Sequence, residues 1–174
     1  YEYYCYFVVS AFSQAAVTFI SQNYGAGQID RCKKIFRQTM FLSIVCCGTL
    51  NVLFVWQKHL SISFFTSNPE VFHYAALRMN IVLLTQCIAC SYEIAGAALR
   101  GLGYSMLPAI LTVFGTCILR LLWIYLICPL FPSFDALMIV YPISWIVTGV
   151  AVLIAYHIVQ KKLFGSHKKP IWVG

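Results

Sequence analysis

Residues 16–34, AVTFISQNYGAGQIDRCKK, begin with an apolar run, continue with a polar turn and end in a cluster of cations. The residues that mark this passage are Gln22, Asn23, Gly25 and Gly27, followed by Arg31, Lys33 and Lys34. Glycine after an apolar run is typical of a helix end, but a soluble helix end does not explain positive charge on one side only. We interpret the stretch as a membrane helix that leaves the bilayer, with its cations held at an anionic membrane surface.

Composition indicates a membrane protein along the whole chain. Of the 174 residues, 61% are hydrophobic and only 10% are charged, whereas soluble domains have about 45–50% apolar and about 25% charged residues. A core of this size cannot hide so much apolar surface from water. Because the chain opens with Tyr1 inside an apolar stretch, we expect a fragment that lacks an N-terminal part.

The net charge of +7 raises nucleic acid as a partner. The cations lie at the edges of apolar segments, however, where they suit contact with a lipid bilayer. We therefore expect the lipid bilayer, and no nucleic acid, as the partner of the basic residues.

The chain has eight cysteines, and Cys87 and Cys90 have the spacing of some metal and redox sites. No second pair of this spacing and no histidine pair accompanies them in the sequence. On a helix the two side chains share a face, so we predict that they pack between helices and that they hold no metal.

Five stretches are long and apolar enough to cross a bilayer, which takes about 17–25 residues. They are residues 3–22, 35–56, 76–98, 106–128 and 135–159. Residues 67–70, Ser-Asn-Pro-Glu, form a helix-start signal before the third stretch. We predict an all-α polytopic membrane helix bundle over residues 1–164, followed by a tail over residues 165–174.

Cations lie in alternate connections between these spans. They occur between spans one and two, at Arg100 between spans three and four, and at Lys161 and Lys162 after span five. Lys58 is the one clear cation in the other connections. Because positive charge marks the cytoplasmic side, we predict a multi-pass protein of the plasma (cytoplasmic) membrane with a cytoplasmic C-terminal tail.

Two stretches resemble a known family. They are AAVTFISQNYGAGQIDRCKKIFRQ at 15–38 and GAALRGLGYSMLPAILTVFGTCILRLLWIYLI at 96–127, with a weaker third, YPISWIVTGVAVLIAYHI, at 141–158. The second contains the motif residues Arg100 and Gly101. In order and spacing the chain resembles the C-terminal lobe of the multidrug and toxic compound extrusion (MATE) transporters.

The resemblance implies one part of a transporter with twelve membrane helices in two lobes of six. Its five spans would match helices eight to twelve. The first helix of the lobe and the whole N-terminal lobe would then be partners of this chain that lie outside these 174 residues. Such transporters export organic cations or drugs in exchange for protons or sodium, with H⁺ or Na⁺ as the coupling ion and no bound cofactor. No enzyme activity is implied.

Two ionisable residues inside the spans are candidate transport residues, because charge is costly in a bilayer. Glu93 lies about 10 Å inside the end of the third span, where it either carries a proton or pairs with a structural cation. Arg120 lies in the fourth span and should face the protein interior, with Glu93 as a candidate partner. Several relatives in this family carry an acid one turn outside Glu93, where this chain has Ala89. Glu93 therefore does not inherit that acid's role.

Three further polar residues are candidates for a transport cavity. Gln86 lies seven residues before Glu93 and so shares its helix face, Gln14 lies in the first span, and Tyr92 can stack on a cationic drug. Hydrogen bonding between helices is the alternative role for both glutamines. A flippase for lipid-linked precursors, from the same superfamily, remains the alternative function.

Overall fold

The computed structural model describes residues 1–131 and 133–166, and it is helical throughout these ranges apart from short turns. Its helices are α1 (Glu2–Gly25), α2 (Ile29–Trp56), α3 (Lys58–Ser63), α4 (Pro69–Arg78), α5 (Ala89–Gly101), α6 (Met106–Thr112), α7 (Leu119–Leu126) and α8 (Phe134–Ser166). Most of the predicted tail at 165–174 lies outside the described residues.

Within the described residues, five helical segments are long and apolar enough to cross a membrane, which confirms the predicted polytopic helix bundle. The spans are Glu2–Gly25, Ile29–Trp56, Pro69–Gly101, Met106–Leu126 and Phe134–Leu163. The helix-start signal before the third span is also confirmed. The Asn68 side chain accepts a hydrogen bond from the Glu70 backbone N–H at 3.0 Å, and Pro69 opens the first turn.

Two of the five spans are not regular α-helices along their whole length. The third span contains a π-helical segment at Met79–Leu83 and a 3₁₀ turn at Gln86–Ile88, between α4 and α5. The fourth contains a π-helical segment at Val113–Ile118, between α6 and α7. Such segments are rare in helices and occur frequently at functional sites.

The main core lies where α5 packs between α1 and α8. Small residues make the approach close: a Cβ added at Gly101 would lie 3.0 Å from Ile20 Cβ and 3.1 Å from the Val17 carbonyl oxygen. Ala97 and Ala98 are fully buried in the same interface. Small side chains of this kind are typical of helix contacts in membranes, so Gly101 has a packing role.

A second core cluster contains three buried cysteines. Cys5, Cys47 and Cys90 are fully buried there and come from α1, α2 and α5. The buried Asn51 amide satisfies its hydrogen bonds largely with thiols, since Cys5 Sγ donates to its Oδ1 at 2.7 Å and its Nδ2 donates to Cys47 Sγ at 3.4 Å. Cys87 packs against this cluster and Cys90 is buried in it, so both pack between helices as predicted.

The turn between α1 and α2 has the glycine-containing helix end that the sequence predicts. Helix α1 ends at Gly25, and Gly27 adopts a left-handed conformation with φ of 71°, which glycine enters at little cost. The Asn23 carbonyl accepts from the Gln28 backbone N–H at 2.8 Å. This reversal places the cationic first turns of α2 beside the end of α1.

Candidate functional site

A polar cavity of about 390 Å³ lies among the first, third, fourth and fifth spans. Its lining residues are Glu2, Tyr3, Tyr6, Arg78, Gln86, Tyr92, Glu93, Thr112, Thr116, Arg120, Tyr141 and Trp145. Two acids and two arginines thus meet in a chain with very few charges. Because charge inside a membrane protein is costly and usually functional, this cavity is the candidate functional site.

The irregular backbone of two spans lies at this cavity. Arg78 and Gln86 flank the π-helical segment of the third span, and Thr116 belongs to that of the fourth. Backbone that departs from the α-helix at membrane depth is tolerated where it lines a cavity or is buried in protein. The interruption of the third span therefore fits a cavity wall, and that of the fourth contributes Thr116 to the cavity while it exposes Val113 and Phe114 on its other side.

An ion pair holds one side of the cavity together. Arg78 Nε lies 2.8 Å from Glu2 Oε1, and Arg78 Nη2 donates to Glu2 Oε2 at 3.0 Å, so the pair is bidentate. The Arg78 guanidinium also lies 5.5 Å from the centre of the Tyr141 ring. The pair ties the start of α1 to the end of α4.

Sequence reasoning missed both members of this pair. Glu2 stands at the edge of the first apolar stretch, and Arg78 lies just inside the predicted third span. A cation inside an apolar span was the available signal. Its partner is 76 residues away along the chain, so the pairing itself could be found only from the fold.

Gln86 lies at the cavity wall and is only partly satisfied. Its Nε2 donates to the Glu2 backbone carbonyl at 3.2 Å. Its Oε1 is buried and has no hydrogen-bond partner among the described residues. A buried acceptor without a partner costs free energy, so this oxygen is a natural contact for a ligand that carries a hydrogen-bond donor.

Arg120 faces the protein interior, as predicted, but it does not pair with Glu93. Its Nε donates to Ser144 Oγ at 3.0 Å, and its guanidinium lies 4.5 Å from the centre of the Tyr141 ring. No ion pair between Arg120 and Glu93 occurs in the described part of the chain. The predicted pairing is therefore wrong, because α8 supplies a hydroxyl and an aromatic face to this side chain.

Glu93 lines the cavity without a hydrogen bond or ion pair to any other described residue. Arg100 is the basic residue in the last turn of α5, about two turns beyond Glu93. Arg100 donates instead to the buried Ser13 hydroxyl at 3.1 Å. The Glu93 carboxylate is thus available to whatever enters the cavity.

Of the other predicted candidates, the structure brings Gln86 and Tyr92 to the cavity and leaves Gln14 outside it. Gln14 lies on an exposed part of α1, where its backbone carbonyl accepts from the Thr18 hydroxyl at 3.0 Å. Besides Tyr92, the cavity receives aromatic rings from Tyr3 and Tyr6 in the first turns of α1 and from Tyr141 and Trp145 in α8.

Comparison with known proteins gives two matches. The model of the MatE family matches residues 2–126, which is more than half of the chain. A protein of Bacillus subtilis (strain 168), named "Probable multidrug resistance protein YoeA", is 26% identical over 100 residues. That match covers 58% of this chain and 22% of the Bacillus protein, so the chain corresponds to a minor part of its relative's length.

Proposed function

Because this chain belongs to the MatE family of transporters, we propose that it forms part of a secondary active transporter that exports organic cations or other drugs. The exported compound would exchange for protons or sodium ions. The relative's name, a multidrug resistance protein, supports this class of substrate. The polar, aromatic-lined cavity is the single structural observation that carries the proposal.

The cavity has the chemistry that a cationic aromatic drug requires. Tyr3, Tyr6 and Tyr92 offer ring faces to a cation, and the Glu93 carboxylate has no competing ion pair in the described structure. A carboxylate that is exposed in turn to each side of the membrane can exchange a bound drug for a proton or sodium ion. In this proposal Glu93 serves as the acidic side of the binding cavity.

The same proposal assigns the chain a place in a larger transporter. Its five spans would be helices eight to twelve of twelve, in the plasma membrane, with the C-terminal tail in the cytoplasm. The N-terminal lobe of the same transporter would close the cavity. Because transporters built from repeats alternate access between two halves, we expect no dye efflux from cells that express only these 174 residues.

Dye uptake into proteoliposomes tests the proposal. The full-length transporter that contains this chain is reconstituted, and uptake is measured under an imposed pH gradient and then under a sodium gradient. We expect one gradient to drive uptake, and Glu93→Gln to lower it at least about tenfold, since the variant loses the cavity's one unpaired carboxylate.

Glu70→Gln is the matched control. It makes the same chemical change in the same span, but Glu70 is exposed at the start of α4 and does not line the cavity. We expect the control to transport at the rate of the unchanged protein. Equal losses in the two variants, or full activity in Glu93→Gln at unchanged protein level, would remove Glu93 from the proposal.

One observation favours the second candidate function, a flippase for lipid-linked precursors. Arg120 presents a positive charge at the cavity and pairs with no carboxylate among the described residues. An anionic substrate, such as a pyrophosphate-linked lipid, would supply the opposite charge. If neither gradient moves a cationic dye, and translocation of a lipid pyrophosphate is lost in Arg120→Gln, the flippase replaces the drug exporter.

A further inference from the structure

A second polar pocket, of about 340 Å³, lies far from the cavity at the turn between α1 and α2. It is lined by Asn23 from the end of α1 and by Arg31, Lys34, Ile35 and Gln38 from α2. Nothing in the proposed transport function uses it. Its lining contains two cations, two side-chain amides and no acid.

Helical spacing explains why these residues form one surface. Positions 31, 34, 35 and 38 follow the i, i+3, i+4, i+7 pattern that brings side chains to one face of a helix. Lys33 and Arg37 belong to the same cationic run but project from another side of α2 and do not line the pocket. The four cations therefore form two pairs. Arg31 and Lys34 line the pocket and are called the pocket pair, whereas Lys33 and Arg37 lie outside it.

No described acid neutralises the charge of Arg31 and Lys34. The one acid of this segment, Asp30, lies 3.7 Å from Lys33 and is fully exposed. Neither Arg31 nor Lys34 forms an ion pair with a described acid. No side chain hydrogen-bonds to the first turn of α2. The positive end of the helix dipole therefore adds to the field at the pocket, offset in part by the exposed Asp30 in that turn.

The pocket opens onto apolar surface on both helices. On α2 the pocket face continues past Gln38 to Phe41, Leu42 and Val45, and all three are exposed. On α1, one turn before Asn23, Phe19 is 54% exposed. A basic pocket that gives way to exposed apolar side chains along two membrane spans matches a molecule with an anionic head and acyl chains.

We propose that this pocket binds the phosphate of an anionic phospholipid, with Arg31 and Lys34 as the charged contacts. Asn23 and Gln38 donate or accept hydrogen bonds at the headgroup, and the acyl chains lie along the exposed apolar residues of α1 and α2. Basic pockets between membrane helices bind anionic lipid headgroups in this way. The site is independent of the transport function proposed above.

Native mass spectrometry of the purified full-length transporter tests the site. The protein is titrated with phosphatidylglycerol and with phosphatidylcholine of the same acyl chains. We expect preferential retention of phosphatidylglycerol, and a loss of about fivefold in its apparent affinity for each of Arg31→Gln and Lys34→Gln. Arg37→Gln is the matched control, since it removes the same charge from the same helix outside the pocket, and it should bind as the unchanged protein does.

Each other outcome overturns the proposal. If Arg37→Gln weakens retention as much as Arg31→Gln does, the lipid responds to diffuse surface charge and no pocket site exists. If the two lipids are retained equally, the phosphatidylglycerol headgroup is not recognised. If inorganic phosphate displaces phosphatidylglycerol completely at equal concentration, the occupant is a soluble phosphate and the acyl chains contribute nothing.

Discussion

At the scale of single residues, Gly115 marks the closest approach of the fourth span to the fifth. A Cβ at this position would meet Thr148 Oγ1 and would lie 3.0 Å from Thr148 Cβ and 3.2 Å from its Cα. Thr148 is fully buried, and its hydroxyl donates to the Ser144 carbonyl at 2.7 Å. Its side chain therefore cannot turn away without losing that hydrogen bond.

We predict that Gly115→Ala lowers the free energy of unfolding by about 1–3 kcal/mol, the usual cost of overpacking. The measurement is thermal unfolding of the full-length protein in detergent. Gly25→Ala is the control, because nothing lies within 4 Å of a Cβ added there and alanine favours helix. A melting temperature for Gly115→Ala equal to that of the control would show that the two spans move apart easily.

The candidate site shows which residues a sequence can and cannot identify. Glu93 and Arg120 were identifiable because single charges stand out in apolar spans. Their proposed pairing was wrong, since helix depth alone does not reveal Ser144 and Tyr141 on a different helix. Gln14 lies outside this cavity on an exposed part of α1, because a polar residue in an apolar span does not say which way its helix is rotated, so its role in transport stays a prediction.

At the scale of elements, the spans were predictable and their internal irregularities were not. Length and composition located all five spans, and Asn68 with Pro69 located the start of the third. Nothing in residues 79–88 or 113–118 distinguishes a π or 3₁₀ segment from an α-helix. Those departures lie beside the cavity, and the packing of spans around a cavity is not encoded in hydropathy.

We predict that backbone amides of residues 79–88 exchange hydrogen faster than those of residues 92–101 in the same span. Exchange needs an opened amide and water, and residues 79–88 combine irregular hydrogen bonding with the cavity wall. Residues 92–101 belong to α5, whose Ala97, Ala98 and Leu99 are fully buried. The measurement is hydrogen–deuterium exchange by mass spectrometry over minutes to hours.

The regular helix α1 supplies the internal control for that experiment. Residues 9–20 contain the buried Val9, Ala16 and Ile20 and do not line the cavity, so they should exchange as slowly as residues 92–101. Equal protection of all three segments would mean that the interruptions of the third span are as stable as its α-helical part. The cavity wall would then be rigid on this timescale.

At the scale of the whole molecule, the distribution of cations predicts how the bundle sits in the membrane. The cationic turn before α2, Arg100 at the end of α5, and Lys161 and Lys162 near the end of α8 follow alternate spans and so share one side. The short helix α3, which follows Gln57, lies on the other side and contributes Lys58. Positive residues in short loops are retained in the cytoplasm, so the end of α8 should be cytoplasmic.

Reporter fusions to the full-length transporter measure this orientation. We predict that green fluorescent protein fused after residue 174 fluoresces, and that alkaline phosphatase inserted at residue 67 is active, since the first reporter matures in the cytoplasm and the second outside it.

Replacing Arg31, Lys33, Lys34 and Arg37 together with glutamine removes the largest block of cations and should produce a mixed population in both assays. The Asp30→Asn variant is the control and should leave both signals unchanged, because acids contribute little to this rule. A fluorescent reporter at residue 67 combined with an active phosphatase after residue 174 would reverse the orientation and place the basic pocket on the outer face.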